Sequence, residues 1–592
     1  MKNVNTIPQT LKKINIIAFK NYKEILITLL LITLFSAVSP YAFSYFQGAF
    51  IDKIIEYTKV GGTLQPVYIS ILIFGGVYFV LKIADILYDF FDRRFGIKLA
   101  TTTEKLLLDK KSQLSVADYD NSETWSMIQK ATEAQGQIHS TIYFQNSIIR
   151  QFFSLIAAII IVANFSWVAL VVILITTIPN AVINYLENNA DWKRWLHETA
   201  ARKHLSYLSG VFSSEKSLAE IKFFQVAKKL IQKWNTDKIE IVEKKIFVIQ
   251  EKFLPYFGIS ALISILGYIV VFYILTQMAI NGEVSIGKIT FYISSIFALN
   301  NSFSSLISKI GANYQNVLKL KEYVDFLDLD ISTKEEGIEP ENLIHPPVIT
   351  IKNLYFSYPE KDVLKNISCT IKPGEKIAVV GLNGAGKTTL IKMLTKIYNP
   401  NSGSIHIDEH LLEDLSTSWW YNHLGVLSQE YTNYSFTVEE SIAIGSNSEF
   451  DAELVMQCAQ LAQVHETIME LPLGYKTQLG KQFKNGHNFS IGQWQKIAIA
   501  RALYRQPKVL ILDEPTSAVD AEAEEAIFNN LHDLSGDTTL IFVSHRFSTI
   551  RRADRIMLVQ DGTIAEQGSH EQLMKLHGEY SRLFNLQAKS YQ

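Results

Sequence analysis

A chain of 592 residues has room for several domains, since single domains run to about 100–200 residues. Its net charge of −2 gives no hint of a nucleic-acid partner, and none is expected. The two cysteines, Cys369 and Cys458, have no metal-ligand or redox spacing and read as ordinary thiols in a reducing compartment.

Hydrophobic residues make up an ordinary 48% of the chain, but long apolar runs crowd into the part before residue 315. In order they are Ile25–Phe50, Val67–Phe91, Ser147–Phe165, Ser166–Tyr185, Phe253–Ile280 and Ile286–Ile310. Each reaches or approaches the ~20 residues with which a helix crosses ~30 Å of hydrocarbon. A single such run is ordinary in a buried soluble helix, whereas six in series predict six transmembrane helices. Residues 1–22 then form an N-terminal cytoplasmic segment and 23–329 the transmembrane domain. The first run is too long for a cleavable signal peptide and lacks a clear small-residue cleavage site.

Basic residues set the orientation. Lys12, Lys13, Lys20 and Lys23 precede the first run, Arg93, Arg94 and Lys98 follow the second, and Arg194, Arg202 and Lys203 follow the fourth. The opposite connections, around Asn164 and Asn281-Gly282-Glu283, are short and poor in positive charge, so both termini are expected in the cytoplasm. The long cytoplasmic connections, about 92–140 and 187–252, read as helical extensions that turn near Asp118–Asn121 and Ser213–Lys216. Within the second run Lys82 and Asp85 share a helix face, either as a mutual pair near the interface or as a substrate contact. Tyr41, Phe43, Tyr45, Phe46, Tyr268 and Tyr292 either line an apolar cavity or serve as packing and interfacial anchors.

Residues 330–347 carry mixed charge and three prolines and read as a linker. From 348 to 592, strand-like and helix-like runs alternate, the pattern of an α/β domain. The expected fold is therefore a membrane all-α domain of six transmembrane helices followed by an α/β P-loop nucleotide-binding domain. The P-loop is Gly381-Leu-Asn383-Gly384-Ala-Gly386-Lys387-Thr388-Thr389, between an apolar strand-like run and a helix-like run. Its glycines let backbone N–H groups close around phosphate oxygens at a helix N-terminus. Lys387 is placed to reach the β- and γ-phosphates of ATP, and the Thr388 hydroxyl to ligate Mg²⁺. Downstream, the strand-like Lys508–Asp513 ends in two carboxylates: Asp513 suits Mg²⁺, and Glu514 suits polarisation of the attacking water. His545 also ends a strand-like run, where a lone histidine is either structural or, as only a family resemblance would imply, a γ-phosphate contact.

With these motifs in place, the chain resembles an ATP-binding-cassette exporter over nearly its whole length. Four further stretches carry the resemblance. Tyr358 stands where the family stacks an aromatic ring on adenine, and Gln429 where it touches Mg²⁺ and couples to the membrane domain. Phe489-Ser490-Ile491-Gly492-Gln493 stands in place of a Leu-Ser-Gly-Gly-Gln signature, and Ser517–Asp520 matches the loop that crosses the cassette dimer. Ser490 and Gly492 are retained, but Ile491 replaces a glycine and Phe489 a leucine, so Ile491 marks either a weaker composite site or a tolerated variant. The segment Gly480–Asn488, Trp494 and Gln429–Tyr434 resemble the lantibiotic and related peptide exporters.

The resemblance implies an integral protein of the bacterial plasma membrane, in contact with membrane lipid, that couples ATP hydrolysis to outward transport. One cassette holds one phosphate loop and one signature, so a second copy of the chain, or a related half-transporter, is the implied partner. A modified peptide is the implied cargo; the alternatives are lipid or hydrophobic-drug export, or service as one half of a heterodimer. A cassette acting as channel or regulator is disfavoured by Glu514 and His545. About twenty residues precede the first run, too few for an N-terminal peptidase domain, so a leader peptide is expected to be cut by another protein.

Overall fold

The computed structural model describes residues 6–197, 199–330, 337–359, 361–516, 518–533, 537–544 and 546–588. Residues 331–336 of the expected linker, Ser517 and His545 lie outside the described residues. The chain divides into two compact units, one within Met1–Gln113 and Asn121–Asp330, the other within Leu114–Asp120 and Ile331–Gln592.

The described part of the first unit is helical. Helix α1 (Thr6–Val60) breaks once, at Tyr22 (φ −141°, ψ 34°). There the Tyr22 hydroxyl donates to the Lys98 carbonyl, 2.9 Å away, on α2 (Gln65–Ser112). The first expected turning point contains α3 (Val116–Asp120), which clusters with the second unit, and α4 (Ser122–Gln135), capped by Asn121 through Glu123 N at 2.8 Å. Then come α5 (Ile138–Phe165) and α6 (Trp167–His197), parted at Ser166, whose backbone is extended. The second turning point contains α7 (Thr199–Gly210), a 3-10 turn (Val211–Ser213) and α8 (Glu215–Phe223), capped by Ser214. Helix α9 (Ala227–Lys238) runs through a π turn (Ile239–Glu243) into α10 (Lys244–Ile280), and α11 (Ile286–Leu327) closes the unit.

Among the described residues five helices are long and apolar enough to cross a membrane: α1, α2, α5, α6 and α10. The sixth expected span lies within α11, which is continuous over 42 residues. Its polar residues, Lys288, the Asn300–Ser302 stretch and Lys309, keep it out of that class. Small residues let these helices approach closely: a Cβ on Gly267 would lie 2.6 Å from the Thr176 hydroxyl. Buried polar groups are tied together, as where the Tyr41 hydroxyl donates to the Ser154 carbonyl (2.7 Å) and the Ser154 and Ser302 hydroxyls meet at 3.0 Å.

The second unit is α/β. An antiparallel sheet, in the order β2-β1-β4-β5, contains β1 (Ile349–Tyr358), β2 (Lys361–Ile371), β4 (Ser402–Ile407) and β5 (His410–Leu411). A six-stranded sheet, in the order β10-β9-β3-β8-β7-β6, contains β3 (Lys376–Val380), β6 (Leu424–Leu427), β7 (Val509–Asp513), β8 (Thr539–Val543), β9 (Arg555–Gln560) and β10 (Thr563–Gly568). In it β9, β3, β8, β7 and β6 run parallel, and such strands, covered on both faces, are mostly apolar, with polar residues at their ends. Alternation splits them between two cores. Val509 and Ile511 of β7 join Ile377 and Ile541 on one face, while Leu510 and Leu512 join Val380 and Phe542 on the other. The helices are α12 (Lys387–Leu394), α13 (Thr417–Asn422), α14 (Val438–Ala443), α15 (Ala452–Leu461), α16 (His465–Met469), α17 (Ile491–Tyr504), α18 (Ala521–Asp533), α19 (Phe547–Ile550), α20 (His570–Lys575) and α21 (Glu579–Ala588).

Candidate nucleotide-binding site

Strand β3 ends at Val380, and the loop Gly381–Gly386 carries the chain into α12. Gly381 (φ 150°) and Gly386 (φ 109°) adopt backbone angles that favour glycine. Space excludes a side chain as well, because a Cβ at Gly381 would lie 2.2 Å from the Val559 carbonyl oxygen. Lys387 opens α12, and its buried Nζ donates to the carbonyls of Gly381 and Leu382, each at 3.0 Å. Burial holds this ammonium below the usual lysine range, against the opposing pull of the Glu514 and Asp513 carboxylates.

A cavity of about 760 Å³ lies over the loop. Asn383, Gly384, Gly386, Lys387, Thr388 and Thr389 line it, together with Tyr358, Gln429 and Glu514. Tyr358 ends β1, Gln429 follows β6 and Glu514 follows β7, so the C-terminal ends of parallel strands β3, β6 and β7 deliver their loops to one place. The Tyr358 ring is braced edge-on by Phe356 (5.0 Å) and Tyr398 (5.7 Å). The Tyr398 hydroxyl in turn bonds the Asp120 carboxylate of α3.

Asp513 is buried at the end of β7. Glu514 takes a left-handed backbone (φ 51°), uncommon for a residue with a side chain and typical of functional turns. Its N–H donates to the Val543 carbonyl (3.0 Å), and its carbonyl accepts from Gln495 Nε2 (2.8 Å). Thr388, Gln429 and Asp513 offer hydroxyl, amide and carboxylate oxygens, the donor chemistry of a hard divalent cation. Among the described residues no cluster of three or more His, Cys, Asp or Glu forms an all-protein metal cage.

Ser490, Gly492, Gln493 and Asp520 do not line this cavity. Ser490 caps α17, its hydroxyl accepting from Gln493 N (3.3 Å), while the Gln493 side chain accepts from Ser490 N (2.8 Å). A Cβ on Gly492 would lie 2.5 Å from the Ala518 carbonyl, so glycine lets the start of α17 touch the loop before α18. Asp520 accepts from Ala523 N at 2.8 Å, and that bond holds its carboxyl below the usual range. Ile491 is 73% exposed, whereas Phe489 is buried edge-on against Trp494 at 5.8 Å. Phe489 and Trp494 thus support each other in the core, while the Ile491 side chain stays on the surface.

The ABC transporter family profile matches residues 364–517. The subtilin transport ATP-binding protein of Bacillus subtilis is 27% identical, covering 97% of this chain and 93% of that protein. The nisin transport ATP-binding protein of Lactococcus lactis is 26% identical, covering 98% and 96%. Residues 364–517 form an ABC transporter domain. An ATP-dependent lipid A-core flippase of Syntrophus aciditrophicus is 34% identical over 57% of this chain and 54% of the flippase. A bacterial Atm1-family ABC exporter with ATP bound shares the fold, with a TM-score of 0.70 and 22% identity over 96% of this chain and 98% of that one. The enzymatic activity of this domain is ATP hydrolysis coupled to transport.

Sequence reasoning passed over Lys361, Gln495 and Glu524, and took Tyr431 only as part of the peptide-exporter resemblance. Lys361 lines the cavity because β1 and β2 pair Tyr358 with Lys361. Gln495 is buried, with Nε2 on the Glu514 carbonyl and Oε1 accepting from Ala518 N (3.1 Å). The Tyr431 hydroxyl donates to the Ile491 carbonyl (3.1 Å), tying the Gln429 segment to the start of α17. Glu524, buried on α18, accepts from Thr516 (2.9 Å) and pairs with Arg546. Only the hairpin around Lys361 leaves a local trace in sequence; the other contacts span 8 to 60 residues.

Proposed function

We propose that this exporter moves a peptide, modified before transport, outward across the bacterial plasma membrane as a dimer of two copies. Lys387 and the loop Gly381–Thr389 hold the phosphates of ATP, and Tyr358 stacks on its base. Thr388, Gln429 and Asp513 hold Mg²⁺, which when bound neutralises phosphate charge. The Glu514 carboxylate accepts a proton from the attacking water, and His545 contacts the γ-phosphate. The observation that carries the dimer is the composition of the cavity: it gathers the phosphate loop, Gln429 and Glu514 but not Ser490, Gly492 or Gln493. A second copy supplies those three, with Asp520 at the junction, and ATP then joins the cassettes. Alternating access follows as ATP binding closes the pair and hydrolysis releases it.

The peptide cargo rests on the two relatives matched end to end, whose names give subtilin and nisin as what they transport. The flippase match, confined to about half of each chain, favours the alternative of lipid export. Glu514→Gln should retain ATP while hydrolysis falls ~100-fold or more and secretion stops. Full transport by that variant would overturn the power-stroke reading. Cells lacking the exporter should accumulate the modified peptide; unchanged peptide secretion with altered lipid or dye efflux would favour the alternative.

A further inference from the structure

Helices α1, α2, α5 and α11 line a second cavity, of about 530 Å³, inside the helical unit. Its charged and amide lining is Lys82, Asp85, Arg150, Gln151 and Asn301. Counted from the short inter-helix connections, these residues stand at similar depths. Lys82 lies 17 residues beyond Gln65, Arg150 lies 15 before Phe165, and Asn301 lies 15 beyond Ile286. At ~1.5 Å per residue this is about 22–26 Å along each helix, still within a hydrocarbon core of ~30 Å.

Charge at that depth is unfavourable unless it is partnered or serves a ligand. Lys82 and Asp85 answer each other, with Nζ 3.7 Å from Oδ2. Arg150, Gln151 and Asn301 have no hydrogen bond or ion pair among the described residues. One turn back on α5, Ser147 accepts from the Lys309 ammonium, which lies within electrostatic reach of Arg150. Two cations, Lys82 and Arg150, therefore line the cavity with one carboxylate, Asp85. The remaining wall is mixed: Phe43 and Tyr78 stand 5.9 Å apart, and serines from α1, α5 and α11 supply hydroxyls. Such a wall suits a peptide, with backbone amides and a side chain to place, better than the continuous apolar trough that acyl chains require.

We propose that this cavity recognises cargo through a carboxylate, an acidic side chain or C-terminus of the peptide, anchored by the Arg150 guanidinium. The planar guanidinium can engage both carboxylate oxygens, and Gln151 and Asn301 supply flanking amide donors. The proposal rests on the peptide-export reading and names the chemistry of its cargo.

The test uses the full chain in phosphatidylcholine nanodiscs and three fluorescent probe peptides, identical except that aspartates in the first become asparagines in the second and lysines in the third. The aspartate peptide should bind about tenfold or more tighter than the asparagine peptide. Arg150→Gln should erase that difference, Arg150→Lys should keep part of it, and Arg150→Glu should turn the preference toward the lysine peptide. Lys82→Gln, at an independent position, should also weaken the aspartate peptide. An acidic preference that survives Arg150→Glu, or equal binding of all three peptides to the unaltered protein, would overturn the carboxylate anchor alone. Failure of every peptide to bind would remove the peptide reading along with it. Arg150-dependent thermal stabilisation by phosphatidylglycerol, with no charge selection among peptides, would assign the cavity to a lipid headgroup and overturn the proposal.

Discussion

In the cassette, Ile511 is fully buried (0% exposed) between a sheet and its covering layers, whereas in the helical unit Leu72 is 74% exposed. The buried residues of the helical unit include Thr103, Ser154, Ser295 and Ser302. The same apolar side chains thus do opposite work. In the cassette, removing them from water drives folding. In the helical unit they face lipid, and close contact of small residues and hydrogen-bonded hydroxyls hold the helices together. A run of leucines accordingly says where a helix lies and little about what it touches, while a buried strand in the cassette states both.

The largest expected effect separates chemistry from architecture. Lys387→Ala should weaken ATP binding by ~100-fold or more, read with a fluorescent ATP analogue, while helix content by circular dichroism stays the same. Loss of helicity would show that the two units do not fold independently. A matched pair of asparagines comes next. Ile511→Asn buries an amide in an aliphatic core and should destabilise the cassette by ~4 kcal/mol, whereas Leu72→Asn in detergent should stay within ~0.5 kcal/mol. Equal shifts in thermal unfolding would break the comparison. Gln495→Ala should cost ~1–3 kcal/mol by orphaning the Glu514 carbonyl and the Ala518 N–H, and should lower kcat for ATP with little change in nucleotide affinity.

The smallest effect concerns the thiols. Burial pushes Cys369 up to about 11 and Cys458 to about 12. The fold therefore favours the protonated thiols, and their contribution to stability is lost as pH rises above ~8.5, where the unfolded thiols ionise. Iodoacetamide at pH 8 should label either cysteine slowly until urea is added; rapid labelling of folded protein would contradict this burial.

Much of the cassette was legible because its motifs combine local sequence with local geometry. The glycines at 381 and 386 declare a backbone shape, and Asp513-Glu514 closes an apolar run. What stayed hidden was long-range. Nothing local marks Gln495 as the clamp on Glu514, or Tyr431 as the tie to Ile491, since each contact exists only once the sheet is assembled. In the helical unit five spans announce themselves by composition, and the polar character of α11 became intelligible only when Asn301 and Ser302 were found lining a cavity with Arg150. The pairing of Lys82 with Asp85 was legible from spacing; that the pair lines the same cavity as the Arg150 guanidinium was not.

One contact in the helical unit has little tolerance for partial opening. Gly48 and Gly287 bring α1 and α11 so close that a Cβ on either would lie 2.0–2.3 Å from the other's carbonyl oxygen. Beside them Asp52 accepts from the Ser285 hydroxyl (2.6 Å) and from Gly287 N (2.7 Å), so that one helix caps the other. Water needs more width than this seam has, and the capping bonds are lost within the first ångström of separation. The seam therefore admits no side chain at either glycine, and the carboxylate of Asp52 fastens the start of α11 to α1 where only backbone could approach.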